Sequence, residues 1–372
     1  AFTTDAAAVV ADADVDVVVE VMGGIEPARE LVSAALSAGK PVVTANKELL
    51  ANHGAELYEA AEAAGVDLLF EAAVAGAIPI MRPLRESLAG EPITRVMGIV
   101  NGTTNFILSR MADDGVSYAD ALAEAQGLGY AERDPTADVE GFDAGAKAAI
   151  IATVAFGARV VAGDVYHEGI SGITVADIEF AADLQHCIKL LAVVEQTRAS
   201  DGGLQIGVRV HPTLVPLDHP LASVRGSFNA VFVEGGASGD LMFYGRGAGG
   251  RPTASAVLGD LIDAAGNLRR GHGAPIGALE RARIAPIDDV TSAFYLNVEV
   301  DDRPGVLAQV ATVFGENGVS IRSMEQEGLG GEARLVFITH AARERDLRST
   351  LQGLRSLDAV RAVGSVLRVI GD

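Results

Sequence analysis

The sequence predicts an α/β protein in three parts: a parallel Rossmann-type sheet lacking its opening unit, an α+β segment, and a C-terminal ferredoxin-like βαββαβ unit. Three observations carry this. Strand, helix and strand patterns alternate through the first ninety residues, as a parallel sheet requires. With 372 residues, 49% of them hydrophobic, the chain can build the large cores of about two or three domains. Beyond residue 290 the pattern changes to strand–helix–strand–strand–helix–strand, a small unit of its own.

The elements follow in order. Residues 15–22 are an apolar β-branched run and read as a buried strand. Gly23-Gly24 ends it, and Pro27 opens a helix to about residue 37. Residues 41–45 form the next strand, and an alanine-rich helix then runs to Gly65. Residues 67–71 are a third strand, followed by a helix over 78–88. In such sheets ligands bind at the carboxyl ends of the strands, where Gly23, Thr44, Lys47 and the stretch after Glu71 lie. A strand over 95–100 leads into Asn101-Gly102, a turn signal, with Thr103 or Thr104 placed to cap a helix to about 113. A helix over 120–126 precedes an acidic loop, and another helix runs from Asp143 to about 156. Residues 175–233 are mixed, with LLAVVEQ (190–196), LQIGVRVHPTLVP (204–216) and NAVFVEG (229–235) alternating like antiparallel strands. A strand over 241–244 then meets a glycine-rich loop and a helix near 252. Residues 271–289 read as a linker, and 291–372 as a separate small domain. The expected boundaries are 1–94, 95–247, 248–290 and 291–372.

Charge and cysteine usage exclude several function classes. Lys and Arg number 29 against 50 Asp and Glu, a net charge of −21, which argues against nucleic acid or an anionic membrane as partner. Cys187 stands alone, so there is no intrachain disulfide and no cysteine-rich metal site, in keeping with a reducing cytoplasm. No apolar run reaches the roughly 18 residues of a membrane span. No G-x-G-x-x-G spacing follows an opening strand, where a dinucleotide fold normally carries its fingerprint. Either the first part is not a dinucleotide domain, or its opening units lie upstream of Ala1. The chain is expected to be part of a longer protein, and without that part to bind a dinucleotide weakly.

The stretch richest in chemistry is GLGYAERDPTADVEGFDAGAKAAI, residues 127–150. It holds Glu132, Asp134, Asp138, Glu140 and Asp143, then Lys147. Asp143 and Lys147 are four apart on a helical pattern and share a face. A carboxylate and an amine held together suit the binding of an ammonium group and the movement of a proton. The competing reading is a solvated acidic loop with an ordinary surface ion pair. The loop Gly245, Gly247, Gly249, Gly250 before a helix suits phosphate, or is a flexible connector. Lys47 opens a helix, where the dipole disfavours a cation, so a functional reason for it is favoured. His211, His219 and His272 read as structural or exposed.

Five motifs, in order, resemble the homoserine dehydrogenases: TANKELLA (44–51), EAAVAGAIPI (71–80), NGTTNFILSRM (101–111), LGYAERDPTADVEGFDAGAK (128–147) and YGRGAGGRPTASAV (244–257). They span nearly everything before the linker. DRPGVL (302–307) resembles an ACT domain, an amino-acid-sensing module. The resemblance implies NAD(P)-dependent interconversion of aspartate semialdehyde and homoserine in threonine, methionine and isoleucine biosynthesis. It implies Lys147 as proton donor, with Lys47 at the cofactor–substrate junction, and Glu132 and Asp143 as the carboxylates that hold the substrate ammonium; Asp138 is a further substrate-side candidate, a supporting or solvated role being its alternative. Gly23, Thr44, Lys47, Gly129 and Gly249 fall near NAD or NADP. Main-chain oxygens at Glu71, Val74, Gly76 and Ile78 match a site for a sodium-type cation. The middle segment is then a substrate-binding and dimerisation domain, the assembly a homo-oligomer, and threonine the expected effector.

The residues agree with that chemistry. Hydride addition builds negative charge on a carbonyl oxygen, and a cation must stabilise it and supply a proton. Lys147 is suited to this, with Lys47 second. DAGAK lacks the bulkier residue the family often carries before its lysine, so packing there is expected to differ. An alternative function is an inert fragment that acts only as an ACT-type amino-acid sensor.

Overall fold

A computed structural model describes residues 2–371 except 200, 274, 275, 277, 278, 282 and 329. The chain opens with a helix that the sequence reading missed, α1 (Ala6–Ala11), capped by the Asp5 side chain on the Ala8 N–H. A parallel layer follows: β1 (Val18–Glu20), α2 (Ala28–Ser37), β2 (Val42–Thr44), α3 (Lys47–Ala64) and β3 (Leu68–Leu69). The three strands pair in that order, all parallel. They are shorter than the apolar runs suggest, because only two or three residues of each are paired. The expected helix over 78–88 is a brief turn running into π-type winding from Pro83 to Ser87.

The second layer starts with β4 (Ile93–Ile99), so the expected break after residue 94 falls inside a strand. Then come α4 (Gly102–Asp114), α5 (Tyr118–Gly127), α6 (Thr136–Val139), α7 (Phe142–Phe156), β5 (Ala158–Arg159), β6 (Tyr166–His167) and α8 (Val175–Asp183). Two long strands, β7 (His186–Arg198) and β8 (Leu204–Pro216), pair antiparallel along their full length. β9 (Phe228–Gly235) and β10 (Gly239–Arg246) form a hairpin, and α9 (Gly250–Arg270) returns to the parallel layer, where Ala264 packs on Val43 and Leu69.

The stretch expected as a free linker is tied down in part. β11 (Glu280–Arg281) pairs with β5, and Ile284 bridges to Ile206. Residues 274, 275, 277, 278 and 282 of that stretch lie outside the described residues.

The C-terminal unit has the expected order: β12 (Thr291–Asp301), α10 (Val306–Glu316), β13 (Ile321–Gly328), β14 (Glu332–Thr339), the short β15 (Ala342–Arg343), α11 (Glu344–Arg355) and β16 (Val360–Val369). Its strands lie in the order β16-β12-β14-β13. It owns a hydrophobic core, with Phe294, Leu296, Phe314 and Phe337 fully buried. It is not a free-standing sheet, however. β16 pairs in parallel with β8 through Arg368 to Thr213 and Val369 to Leu214, so one eleven-stranded sheet runs through both parts. Sequence periodicity carries no information about which distant strand an edge will accept, so this junction was not foreseeable.

Candidate active site

Four elements converge on a cleft of about 620 Å³. β4 ends at Val100–Asn101, α7 supplies Asp143 and Lys147, the start of α3 supplies Lys47, and the loop and short helix before α7 supply Glu132 and Asp138. The Lys147 Nζ donates to the Val100 carbonyl and to Asp143 Oδ2, both at 2.7 Å. Lys47 Nζ lies 3.3 Å from the other oxygen, Asp143 Oδ1. One carboxylate thus holds both lysines. Its place in the first turn of α7 favours a negative charge.

Asn101 is the residue that sequence reading underrated. Its side-chain oxygen accepts from the Thr104 N–H, so Asn101 caps α4, not Thr103 or Thr104. The reason is geometric: Thr104 Oγ1 turns back to Asn101, and Thr103 Oγ1 donates to the Tyr130 carbonyl. The Asn101 amide donates at once to Asp138 Oδ1 (2.7 Å) and Asp143 Oδ2 (2.9 Å). It therefore links the acidic loop, α7 and β4. The Asn-Gly pair signalled a turn, but nothing local could show which carboxylates it would meet.

The electrostatics follow. Burial would push the Asp143 carboxyl up. Lys147, Lys47 and the hydrogen bonds from Lys147 and Asn101 outweigh it and hold it below its ordinary value. For Asp138 burial wins: its carboxyl is raised, helped by the charge on Asp143 and opposed by the Asn101 amide. Two nearby carboxylates thus differ in proton affinity, a pattern common where chemistry is done. Glu132 stands exposed at the cleft, while Asp134 bonds within its own turn to Thr136.

Asn101→Ala removes both bridges and a cap. Loss of the cap alone costs about 1 kcal/mol. We expect a measurable fall in the midpoint of urea unfolding together with lower kcat/KM. An unchanged kcat/KM would rule out a positioning role for this amide.

The cofactor side is assembled from glycines and buried polar groups. Thr44 is fully buried. Its hydroxyl donates to Glu20 Oε2 at 2.6 Å and accepts from the Asn46 N–H. Its hydroxyl has no donor left for a ligand and holds the strand ends together. Glu20 in turn accepts from the N–H groups of Met22 and Gly23. Gly23 (φ 78°) occupies left-handed backbone, with open space where a Cβ would be. Gly129 (φ 77°) and Gly249 (φ 120°) border the cleft, and Gly249 precedes the free N–H groups that open α9. The glycine-rich loop packs so tightly that a Cβ on Gly76 would stand 2.3 Å from the Gly247 carbonyl oxygen. These bare backbone surfaces and the helix start suit a dinucleotide.

The Glu71 side chain does something unforeseen. Oε1 accepts from the N–H groups of Ile80 and Met81, and Oε2 from Arg82, so it caps the turn after the 74–78 segment. Ala75 is left-handed there (φ 56°), a strained conformation for a residue with a side chain. Asp260 on α9 accepts from the Glu71 N–H and pairs with Arg82 at 2.8 Å. Burial still pushes its carboxyl up to about 6. A raised carboxyl pKa adds stability that is full at low pH and fades as pH rises through about 6. We expect unfolding free energy to lose that component between about pH 4 and 6, and Asp260→Asn to flatten the profile over that window. Urea titrations at stepped pH check this; parallel profiles for the two proteins would contradict it.

Comparison with known proteins decides the family. A family model described as "Homoserine dehydrogenase" matches residues 79–262, and one described as "Homoserine dehydrogenase, NAD binding domain" matches 1–71. A homoserine dehydrogenase of Corynebacterium glutamicum is 57% identical over all of this chain and 83% of its own length. The chain belongs to the homoserine dehydrogenase family. It is accordingly an NAD(P)-dependent oxidoreductase of amino-acid biosynthesis. A homoserine dehydrogenase of Mycobacterium tuberculosis is 53% identical over 99% of this chain and 85% of its own. The crystal structure of a homoserine dehydrogenase from Thiobacillus denitrificans superposes with a TM-score of 0.93 at 43% identity, covering 99% and 85% of the two chains. A hyperthermophilic archaeal homoserine dehydrogenase mutant in complex with NADPH matches with a TM-score of 0.61 at 32% identity, over 71% of this chain and 76% of that one. An ACT domain model matches residues 294–359. The reading in which the first part is no dinucleotide domain is thereby overturned. Among the described residues no helix is long and apolar enough to cross a membrane.

Proposed function

We propose that this homoserine dehydrogenase works through Lys147 as proton donor and oxyanion stabiliser, with Asp143 orienting it and Lys47 flanking it. The observation that supports this best is the single carboxylate between two lysine ammoniums at one wall of the cleft. When bound, NAD(P)H supplies the hydride. As the aldehyde oxygen gains charge, the Lys147 ammonium stabilises it and delivers a proton, giving the hydroxyl of homoserine. In the oxidative direction the proton returns to the amine.

The substrate ammonium is assigned to Glu132 and Asp138. Both Asp143 oxygens already accept from the chain's own donors, so Asp143 reaches the ammonium only by giving up its longest contact, Lys47. The residues for the cofactor are Gly23, Lys47, Gly129 and Gly249, with Thr44 as support. NADPH is favoured by its presence in the archaeal relative. The main-chain carbonyls of Glu71, Val74, Gly76 and Ile78 remain our assignment for a sodium-type cation; the left-handed turn at Ala75–Gly76 is the supporting feature.

The ACT domain is assigned a threonine effector, with the 302–307 loop beside a cavity of about 370 Å³. Homo-oligomerisation is proposed through the open edges of the large sheet, β10 at one end and β13 at the other. We place the protein in the cytoplasm, where the lone Cys187 stays free. Glu132→Gln tests the ammonium assignment: KM for homoserine should rise about tenfold or more with a smaller change in kcat. An unchanged KM would remove Glu132 from the substrate.

A further inference from the structure

The C-terminal domain reaches into the catalytic part through Arg368, a side chain that the catalytic reading does not use. Arg368 lies on β16, where that strand pairs in parallel with β8, and it is 5% exposed. Its guanidinium forks onto Glu168. Nη1 donates to Oε2 at 3.0 Å and Nη2 to Oε1 at 2.9 Å. A two-pronged pair of this kind fixes orientation as well as charge. Glu344, within the C-terminal domain, accepts from Arg368 Nε, and the guanidinium lies over the Tyr166 ring, 5.5 Å from its centre. Burial would raise the Glu168 carboxyl; Arg368 outweighs it and holds the group below its ordinary value.

The segment that carries Glu168 is wedged against the acidic loop. β6 pairs with β8, and the Glu168 N–H continues the pairing by donating to the Val210 carbonyl at 2.8 Å. Two residues on, the Ile170 N–H donates to the carbonyl of Val139, the last residue of α6, at 2.8 Å. The two backbones lie close. A Cβ on Gly169 would stand 2.4 Å from Glu140 Oε2 and 2.5 Å from the Val139 carbonyl oxygen. A Cβ on Gly141, which opens α7, would stand 3.3 Å from the Glu168 carbonyl oxygen. His167 meets Phe142 edge-on, with ring centres 4.3 Å apart. The residues touched, 139–142, are the ones that join Asp138 to Asp143.

Close-packed interiors transmit displacement instead of absorbing it. A shift of Glu168 is therefore passed through residues 169–170 to 139–142. We propose that Arg368 is a positioning residue for the substrate site: by holding Glu168, the C-terminal domain fixes the segment between Asp138 and Asp143. This rests on the reading that Asp138 takes the substrate ammonium. Lys147 has an anchor of its own in the Val100 carbonyl, so the proton step is largely spared. The signature is a KM effect for homoserine that exceeds the kcat effect. The role needs no effector at the 302–307 loop.

Steady-state kinetics of the whole enzyme test this. Arg368→Met removes the fork. Glu168→Ala removes it too but leaves Arg368 with Glu344, so it decides the matter if Arg368→Met fails to fold by its thermal transition. Arg348→Ala is the control, since it breaks another ion pair of the same domain, with Asp288 of the linker at 2.7 Å. We expect Arg368→Met and Glu168→Ala each to raise KM for homoserine about fivefold or more, with kcat within about threefold. KM for NADP should stay within about twofold, as should both KM values in Arg348→Ala. Arg368→Lys should recover part of the loss. Because Arg368 acts through Glu168, adding Arg368→Met to Glu168→Ala should change KM by less than about twofold. The proposal is overturned if folded Glu168→Ala keeps KM for homoserine within about twofold, if KM for NADP or the Arg348→Ala control shifts as much, or if the two losses multiply. Asp138→Asn tests the underlying reading separately. A raised KM there with an unmoved one in Glu168→Ala overturns the positioning role alone; an unmoved KM in Asp138→Asn removes the reading and the proposal with it.

Discussion

Lys147→Ala is expected to lower kcat for homoserine oxidation by roughly 10²–10⁴-fold, the range for loss of a positioned acid–base group. The lysine leaves α7 at a position fixed by two 2.7 Å hydrogen bonds, to the Val100 carbonyl and to Asp143. Its side chain is only 14% exposed, so little water is present to substitute for it. The variant also leaves Asp143 with Lys47 at 3.3 Å and the Asn101 amide as its remaining donors. The Asp143 pKa should then move up, because two of the influences holding it down are gone. Steady-state kinetics across pH, in both directions, provide the check. A loss below about tenfold would move the proton role to Lys47, which is 35% exposed and held by a longer contact.

The second large effect is expected from Asp143→Ala. Removing one member of a largely buried ion pair leaves the other uncompensated and typically costs about 3–5 kcal/mol. Here one substitution strands Lys147 and frees Lys47 together. We therefore expect kcat to fall by at least about 10²-fold and thermal stability to drop. Asp143→Asn should fold better, since it keeps acceptor capacity, yet lose the charge that orients the ammoniums. The contrast with Glu132→Gln is informative. If Asp143 served chiefly to bind the substrate ammonium, its variants would raise KM and spare kcat. The geometry predicts the reverse, a kcat effect larger than the KM effect. Equal KM-only defects at the two positions would refute the division of roles.

Local rules carried much of the fold. Alternating strand and helix patterns located the parallel layer, and Gly65 and Gly115 end α3 and α4 in the left-handed conformation that suits glycine. The βαββαβ order after residue 290 was legible because each element there has a short, complete period. Boundaries were less legible: β1 spans only Val18–Glu20 of a longer apolar run, since hydrophobicity reports burial and not pairing. The acidic segment ending at Lys147 marked itself as a site through one helical spacing, Asp143 to Lys147, which the structure reproduces at 2.7 Å.

The sequence by itself determined most of the element order in the parallel layer and the C-terminal unit, the Asp143–Lys147 pair and, through five ordered motifs, the family and its reaction. Tertiary structure decided what lies far apart in the chain. It brought Lys47, 96 positions before Asp143, onto the second carboxylate oxygen. It made Asn101 the link between Asp138 and Asp143, turned Thr44 inward as a brace, joined the C-terminal sheet to β8, and set Arg368 on Glu168. The physical reason is the same in each case. Periodicity, capping and helical spacing act over a few residues and can be read in one dimension. Which carboxylate a lysine or an arginine meets depends on packing between elements, and no local pattern records it.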